Sequence, residues 1–150
     1  MAVVDAFQHW LYAEAAEAVS AADLDAKWGE LWDRFMVGVD WSDLEAEKVT
    51  GWHRKMHIFT SPLYYIEYGL AELGALQVWR NALQDQASAV AQYRGALALG
   101  NTRSLSQLFA AAGATFAFDS TTVGELARLV DAHLEQLTAE GTAGAGGRSG

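Results

Sequence analysis

The chain has 150 residues, 51% of them hydrophobic, no cysteine and a formal net charge of −9. That is enough chain to bury a core, and it is too apolar for disorder throughout. The acidic balance argues against nucleic acid or an anionic membrane as partner, and no uninterrupted apolar run approaches the ~18 residues of a membrane span.

The first helix is expected over 2–18, with Val4, Phe7, Leu11 and Ala15 on one side and Trp10 at its flank. Ser20, with Asp23 three residues on, offers an N-cap to a second helix over 21–37. Leu24, Trp28, Leu31, Trp32, Phe35 and Met36 give that helix a broad apolar face. Gly38 ends it, Asp40 to Asp43 reads as a turn, and Ser42 is the expected cap of a short helix over 43–48. Thr50-Gly51 breaks the chain before a helical turn carrying Trp52, His53, Met56 and His57.

The stretch from His53 to Asn81 organises the rest. It holds two of the four histidines, three of the five tyrosines and the only proline. Ser61-Pro62 suits a helix start, because the missing N–H of proline would be unpaired there in any case. From Leu63 the apolar residues Leu63, Ile66, Leu70 and Leu73 recur at helical spacing. A second stripe, Tyr64, Tyr68, Ala71, Ala75 and Val78, lies beside it. A helix apolar on most of its circumference is normally buried, so this one is expected to be central and to run to about residue 82. Asp85 is the expected cap of a helix over 86–99 stopped by Gly100, and Ser104 of a short one stopped by Gly113. Phe116 and Phe118 should plug the core, and Thr122 should cap a last helix over 123–139 with His133 on its flank. Residues 140–150, EGTAGAGGRSG, are expected to be disordered. No strand pattern stands out, so the fold class is an all-α helical bundle in one body over 1–139.

Tyr64, Tyr65 and Tyr68 are spaced so that three hydroxyls can gather on one side of a helix. Spacing leaves two readings open. One is a core stripe with satisfied hydroxyls. The other is a polar cluster facing a cleft, with His57 beside it as a donor to developing negative charge. His53 and His57 are also i,i+4, but the segment reads H-R-K-M-H, with no glutamate base between them.

WHRKMHIF, then SPLYYIEYGLAELGALQVWRNAL, then YRGALALGNTRSLSQLFAAAGATFAF resemble the C-terminal part of oligoendopeptidase F. That is a zinc metalloendopeptidase of peptidase family M3, related to thimet oligopeptidase. The similarity runs in order from about Val4 to about Leu137. It implies the C-terminal helical part of a zincin-like catalytic domain that hydrolyses internal bonds of oligopeptides. The family's zinc is held by H-E-x-x-H and a downstream glutamate. No H-E-x-x-H occurs in these 150 residues. The metal ligands are therefore expected outside this sequence, none within it, and the missing N-terminal catalytic portion is the expected partner.

The resemblance further implies that a histidine and tyrosines C-terminal to the metal site stabilise the oxyanion and hold the peptide. Carried over residue by residue, His57 and Tyr68 take the donor roles, and Tyr64, Tyr65 and His53 line the substrate cleft. Two functions stand open. One is a portion of such an enzyme, inactive alone. The other is a metal-free helical peptide-binding or docking module derived from one. The absence of cysteine, and an N-terminus without the basic start and apolar run of a leader, set the expected location as the cytoplasm.

Overall fold

The computed structural model describes residues 1–13 and 19–145, with the backbone course alone for 141–145. Among the described residues it holds eight α-helices, one 3-10 turn and no strand. The all-α expectation is met. The chain forms two compact units, Met1–Gly69 and Leu70–Gly150.

The first unit contains α1 (Ala2–Ala13), α2 (Ala21–Phe35), α3 (Glu45–Val49), a 3-10 turn (Gly51–Arg54) and α4 (Met56–Thr60). Its core is Val3, Val4 and Phe7 of α1, Trp28 and Leu31 of α2, and Ile58 of α4. The α1 stripe read from spacing therefore faces inward; its continuation at Ala15 lies outside the described residues. Aromatic rings fill the rest: Phe7 meets Trp28 edge-on at 5.3 Å, and Trp32 meets Trp41 edge-on at 5.4 Å. Ser20 and Asp23 form the expected reciprocal cap on α2. Lys48 of α3 pairs with Glu45 at 2.7 Å and with Asp33 of α2 at 3.0 Å. Ser42 does not cap α3. Its hydroxyl and its backbone N–H both donate to Asp40 at 2.6 and 2.9 Å, closing a local turn instead.

The second unit takes most of α5 (Ile66–Gln84), then α6 (Gln86–Ala98), α7 (Leu105–Ala111) and α8 (Ser120–Ala145). Asp85 caps α6 through Ser88 N–H at 3.1 Å, as its position suggests. Gln77, buried on α5, clamps the connecting segment through both backbone groups of one residue, Thr115. Its amide donates to Thr115 O at 2.9 Å and accepts from Thr115 N at 2.8 Å. Asn81, one helical turn on, donates to Gly113 O at 2.7 Å. Phe116 then packs on Phe109 at 5.1 Å, but Phe118, expected in the core, is 57% exposed. Gly74 of α5 lets that Phe109 ring come close: a Cβ there would stand 2.8 Å from Phe109 Cε1.

Three expectations are corrected. The cap of α8 is Asp119, not Thr122; its carboxylate accepts from Thr121 N–H and from both the N–H and the hydroxyl of Thr122. The α8 backbone continues to Ala145, past the end at 139 read from composition, while residues 146–150 lie outside the described residues. And α5 is not a buried central helix: only Gly74 and Gln77 of it are buried. Ala71, Ala75 and Val78 of its second stripe instead line an open apolar groove of about 580 Å³, together with Tyr93 and Leu97 of α6 and Phe109 of α7.

Candidate functional site

The site is built in the first unit, by the chain between the 3-10 turn and the start of α5. Lys55 N–H returns to Trp52 O and Ile58 N–H to Lys55 O, so α4 begins on the backbone of that turn. Ile58 is buried and fastens α4 to the core, and Tyr12 of α1 donates to its carbonyl at 3.3 Å. His57, its chain neighbour, stays half-buried at the rim.

The segment after α4 turns rather than coils. Ser61 and Pro62 do not open the long helix, which starts at Ile66. Leu63 takes φ +60°, a left-handed conformation that no L-residue adopts in a helix start. The turn closes through Tyr64 N–H to Ser61 O at 3.2 Å, and Glu67 N–H to Tyr64 O at 3.0 Å begins the helical pattern. Tyr64 and Tyr65 thus stand before the helix, and only Tyr68 is on it. The three rings nevertheless gather as the spacing suggested.

They gather around His57. Its ring lies 6.0 Å from Tyr64 and parallel to it, 5.2 Å from Tyr65 and 5.6 Å from Tyr68, the latter two edge-on. Tyr68 also meets Tyr64 at 5.8 Å and Tyr65 at 5.5 Å. The Tyr68 hydroxyl is 3.3 Å from His57 Nε2, in a hydrogen bond whose direction follows the imidazole tautomer. Tyr65 packs against the core, whereas Tyr64 and Tyr68 are 51% and 46% exposed. The wholly buried core-stripe reading is therefore excluded for those two. Met56 and Phe59, more exposed still, continue the surface along α4. An imidazole and phenols of this kind offer N–H and O–H donors on an apolar ledge. That combination suits a carbonyl or a developing oxyanion.

His53 is not brought into this cluster. Its ring packs edge-on against Trp52 at 4.2 Å, and its Nε2 is 3.9 Å from Asp25 Oδ1 on α2. The same oxygen accepts from Trp52 Nε1 at 2.7 Å. Sequence spacing carries no signal for Asp25, because 27 residues separate it from Trp52.

A catalytic zinc takes three protein ligands and leaves a position open. Among the described residues no three His, Asp or Glu side chains converge. The two histidines of H-R-K-M-H turn to different partners, one to Asp25 and one to Tyr68. The residues present do not fit a zinc centre of their own. His133, half-buried on α8, donates from Nδ1 to Leu129 O at 2.9 Å and packs tilted against Trp79 at 4.7 Å, a structural arrangement. Among the described residues no helix is long and apolar enough to cross a membrane.

The model of peptidase family M3 matches residues 1–127. No curated protein and no solved structure matches the chain.

Proposed function

The chain belongs to peptidase family M3, and from that premise we propose that it forms the oxyanion and substrate wall of a zinc-dependent oligopeptidase of the oligoendopeptidase F type. Zinc, which supplies water activation in such enzymes, would be held by an H-E-x-x-H segment that these 150 residues do not contain. The oligopeptide lies along the tyrosine ledge. His57 and Tyr68 donate to the oxygen that gains charge as the scissile carbonyl becomes tetrahedral, and Tyr64 and Tyr65 flank the peptide. The setting proposed is the cytoplasm, in keeping with a cysteine-free chain.

The observation that carries this reading is the 3.3 Å approach of the Tyr68 hydroxyl to His57 Nε2 within a ring of aromatic side chains. In that bond one group gives its proton and the other accepts it. A carbonyl oxygen that takes the place of the mutual bond can receive a proton donor from each.

The test combines the chain with a separately produced M3 portion bearing H-E-x-x-H, and follows cleavage of an internally quenched oligopeptide. Hydrolysis should appear only in the mixture. His57→Ala or Tyr68→Phe should then lower kcat by roughly 10²–10³, the usual loss for one oxyanion donor, with little change in KM. Full kcat in both variants would remove the donor roles. A chain that never restores hydrolysis, yet binds peptides alone as a folded monomer, would instead establish the metal-free binding module.

A further inference from the structure

α4 is a single turn of five residues, with no side-chain cap at its start and one buried residue. So short a helix holds its direction only through what it leans on. Besides Ile58, the Tyr12 bond and the tyrosine rings around His57, it leans on the indole of Trp52. That ring lies 6.0 Å from Phe59 of α4 and 6.0 Å from Phe7 of the core, tilted to both. Its rotation is fixed by a single polar contact, the 2.7 Å bond from Nε1 to Asp25 Oδ1 on α2. This is a short bond to a carboxylate acceptor, of the stronger charge-assisted kind. His53 packs against the edge of the same ring and turns its own Nε2 to the same oxygen.

We propose that Asp25 is a positioning residue for His57, acting through the indole of Trp52. The proposal rests on the reading of His57 as a donor at the reacting carbonyl. Asp25 touches no substrate. It holds the ring against which α4 is set, and α4 in turn holds His57 under the three tyrosines. Without the carboxylate, a partly buried indole N–H must seek water. The ring then turns, Phe59 loses its wall, and the imidazole shifts against Tyr64, Tyr65 and Tyr68. His53, which the family resemblance puts among substrate-lining residues, packs on this strut.

The readout is the His57 imidazole in the proton NMR spectrum of the chain itself, identified by its loss in His57→Gln. Packed among three phenol rings, its protons should be displaced by ring currents and show cross-relaxation with tyrosine protons. Asp25→Ala should move the His57 signals towards free histidine and weaken that cross-relaxation, while far-ultraviolet circular dichroism keeps its helical signal. Asp25→Asn retains an oxygen acceptor and should restore both. If Asp25→Ala does not fold, Trp52→Phe decides, since it keeps an aromatic ring and removes only the indole and its N–H. It should give the same loss. His57 signals unchanged in whichever variant folds, or no restoration by Asn, would overturn the proposal.

In the reconstituted enzyme the Ala variant should lose kcat, with KM nearly constant. A displacement on the order of 1 Å can cost up to ~10²-fold. A displaced imidazole with full kcat would leave the positioning role standing and overturn the donor role of His57.

Discussion

The hydroxyl of Tyr68 and Nε2 of His57 stand 3.3 Å apart across eleven residues of chain. A turn with a left-handed Leu63, not a continuous helix, brings them together. Groups that act on one oxygen should not contribute independently. In the reconstituted enzyme, the His57→Ala/Tyr68→Phe double variant should therefore lose little more kcat than the worse single variant. Fully multiplicative losses would mean that the two serve different steps.

Gly74 and Phe109 test the packing of the second unit. Alanine at 74 would bring a methyl 2.8 Å from Phe109 Cε1, and that ring is held from another side by Phe116. Alanine gains about 1 kcal/mol of helix propensity over glycine. The overpacking, about 1–3 kcal/mol, should outweigh it. Gly74→Ala should lower the thermal midpoint by roughly 2–4 °C per kcal/mol lost. Combining it with Phe109→Leu should recover part of that loss; a midpoint unchanged by Gly74→Ala would show that the ring can step aside freely.

Gln77→Met keeps the side-chain volume and deletes the clamp on Thr115. Both bonds to the Thr115 backbone vanish, but Thr115 lies at the surface and water can replace part of them. The expected loss is about 1–3 kcal/mol in urea unfolding. Faster amide exchange at Thr115 should accompany it. Protection at Thr115 equal to that of the parent would mean that the segment is held by its phenylalanines alone.

Acid sensitivity should reside partly at the start of α8. The Asp119 carboxyl is held below its ordinary value of 3.8, first by Thr122 N–H, then by the Thr122 hydroxyl, with Thr121 N–H adding less. A carboxyl lowered in the folded state adds stability that is present above its unfolded value. That stability is lost as pH falls from there through the folded value. Asp119→Asn should thus lower the melting temperature at pH 7 and show a flatter fall below pH 4 than the parent. Parallel curves for the two proteins would place the acid loss elsewhere.

Local devices were legible in the sequence. The Ser20–Asp23 box, the Asp85 cap and the stops at Gly38, Gly100 and Gly113 depend on neighbours within a few residues, and each glycine takes the positive φ its position suggests. Ser61-Pro62 misled because the choice between helix start and turn falls to Leu63, whose side chain gives no hint of φ +60°. Thr122 misled because Asp119, just before the helix, offers a better acceptor to the same N–H groups. Within the site, the gathering of Tyr64, Tyr65 and Tyr68 near His57 could be read from spacing. The parting of His53 from His57 could not, since it is decided by Asp25 on another helix.

The tryptophans are unevenly shared between the two units. Five of the six, Trp10, Trp28, Trp32, Trp41 and Trp52, fall within Met1–Gly69, and Trp79 alone falls in the second unit. Intrinsic fluorescence is therefore an almost private optical channel for the unit that carries His57. With Trp79→Phe it becomes wholly so, while circular dichroism continues to sum the helices of both. Recording the two signals along one denaturant titration would show whether the units melt as a single cooperative system or in sequence, with no added label.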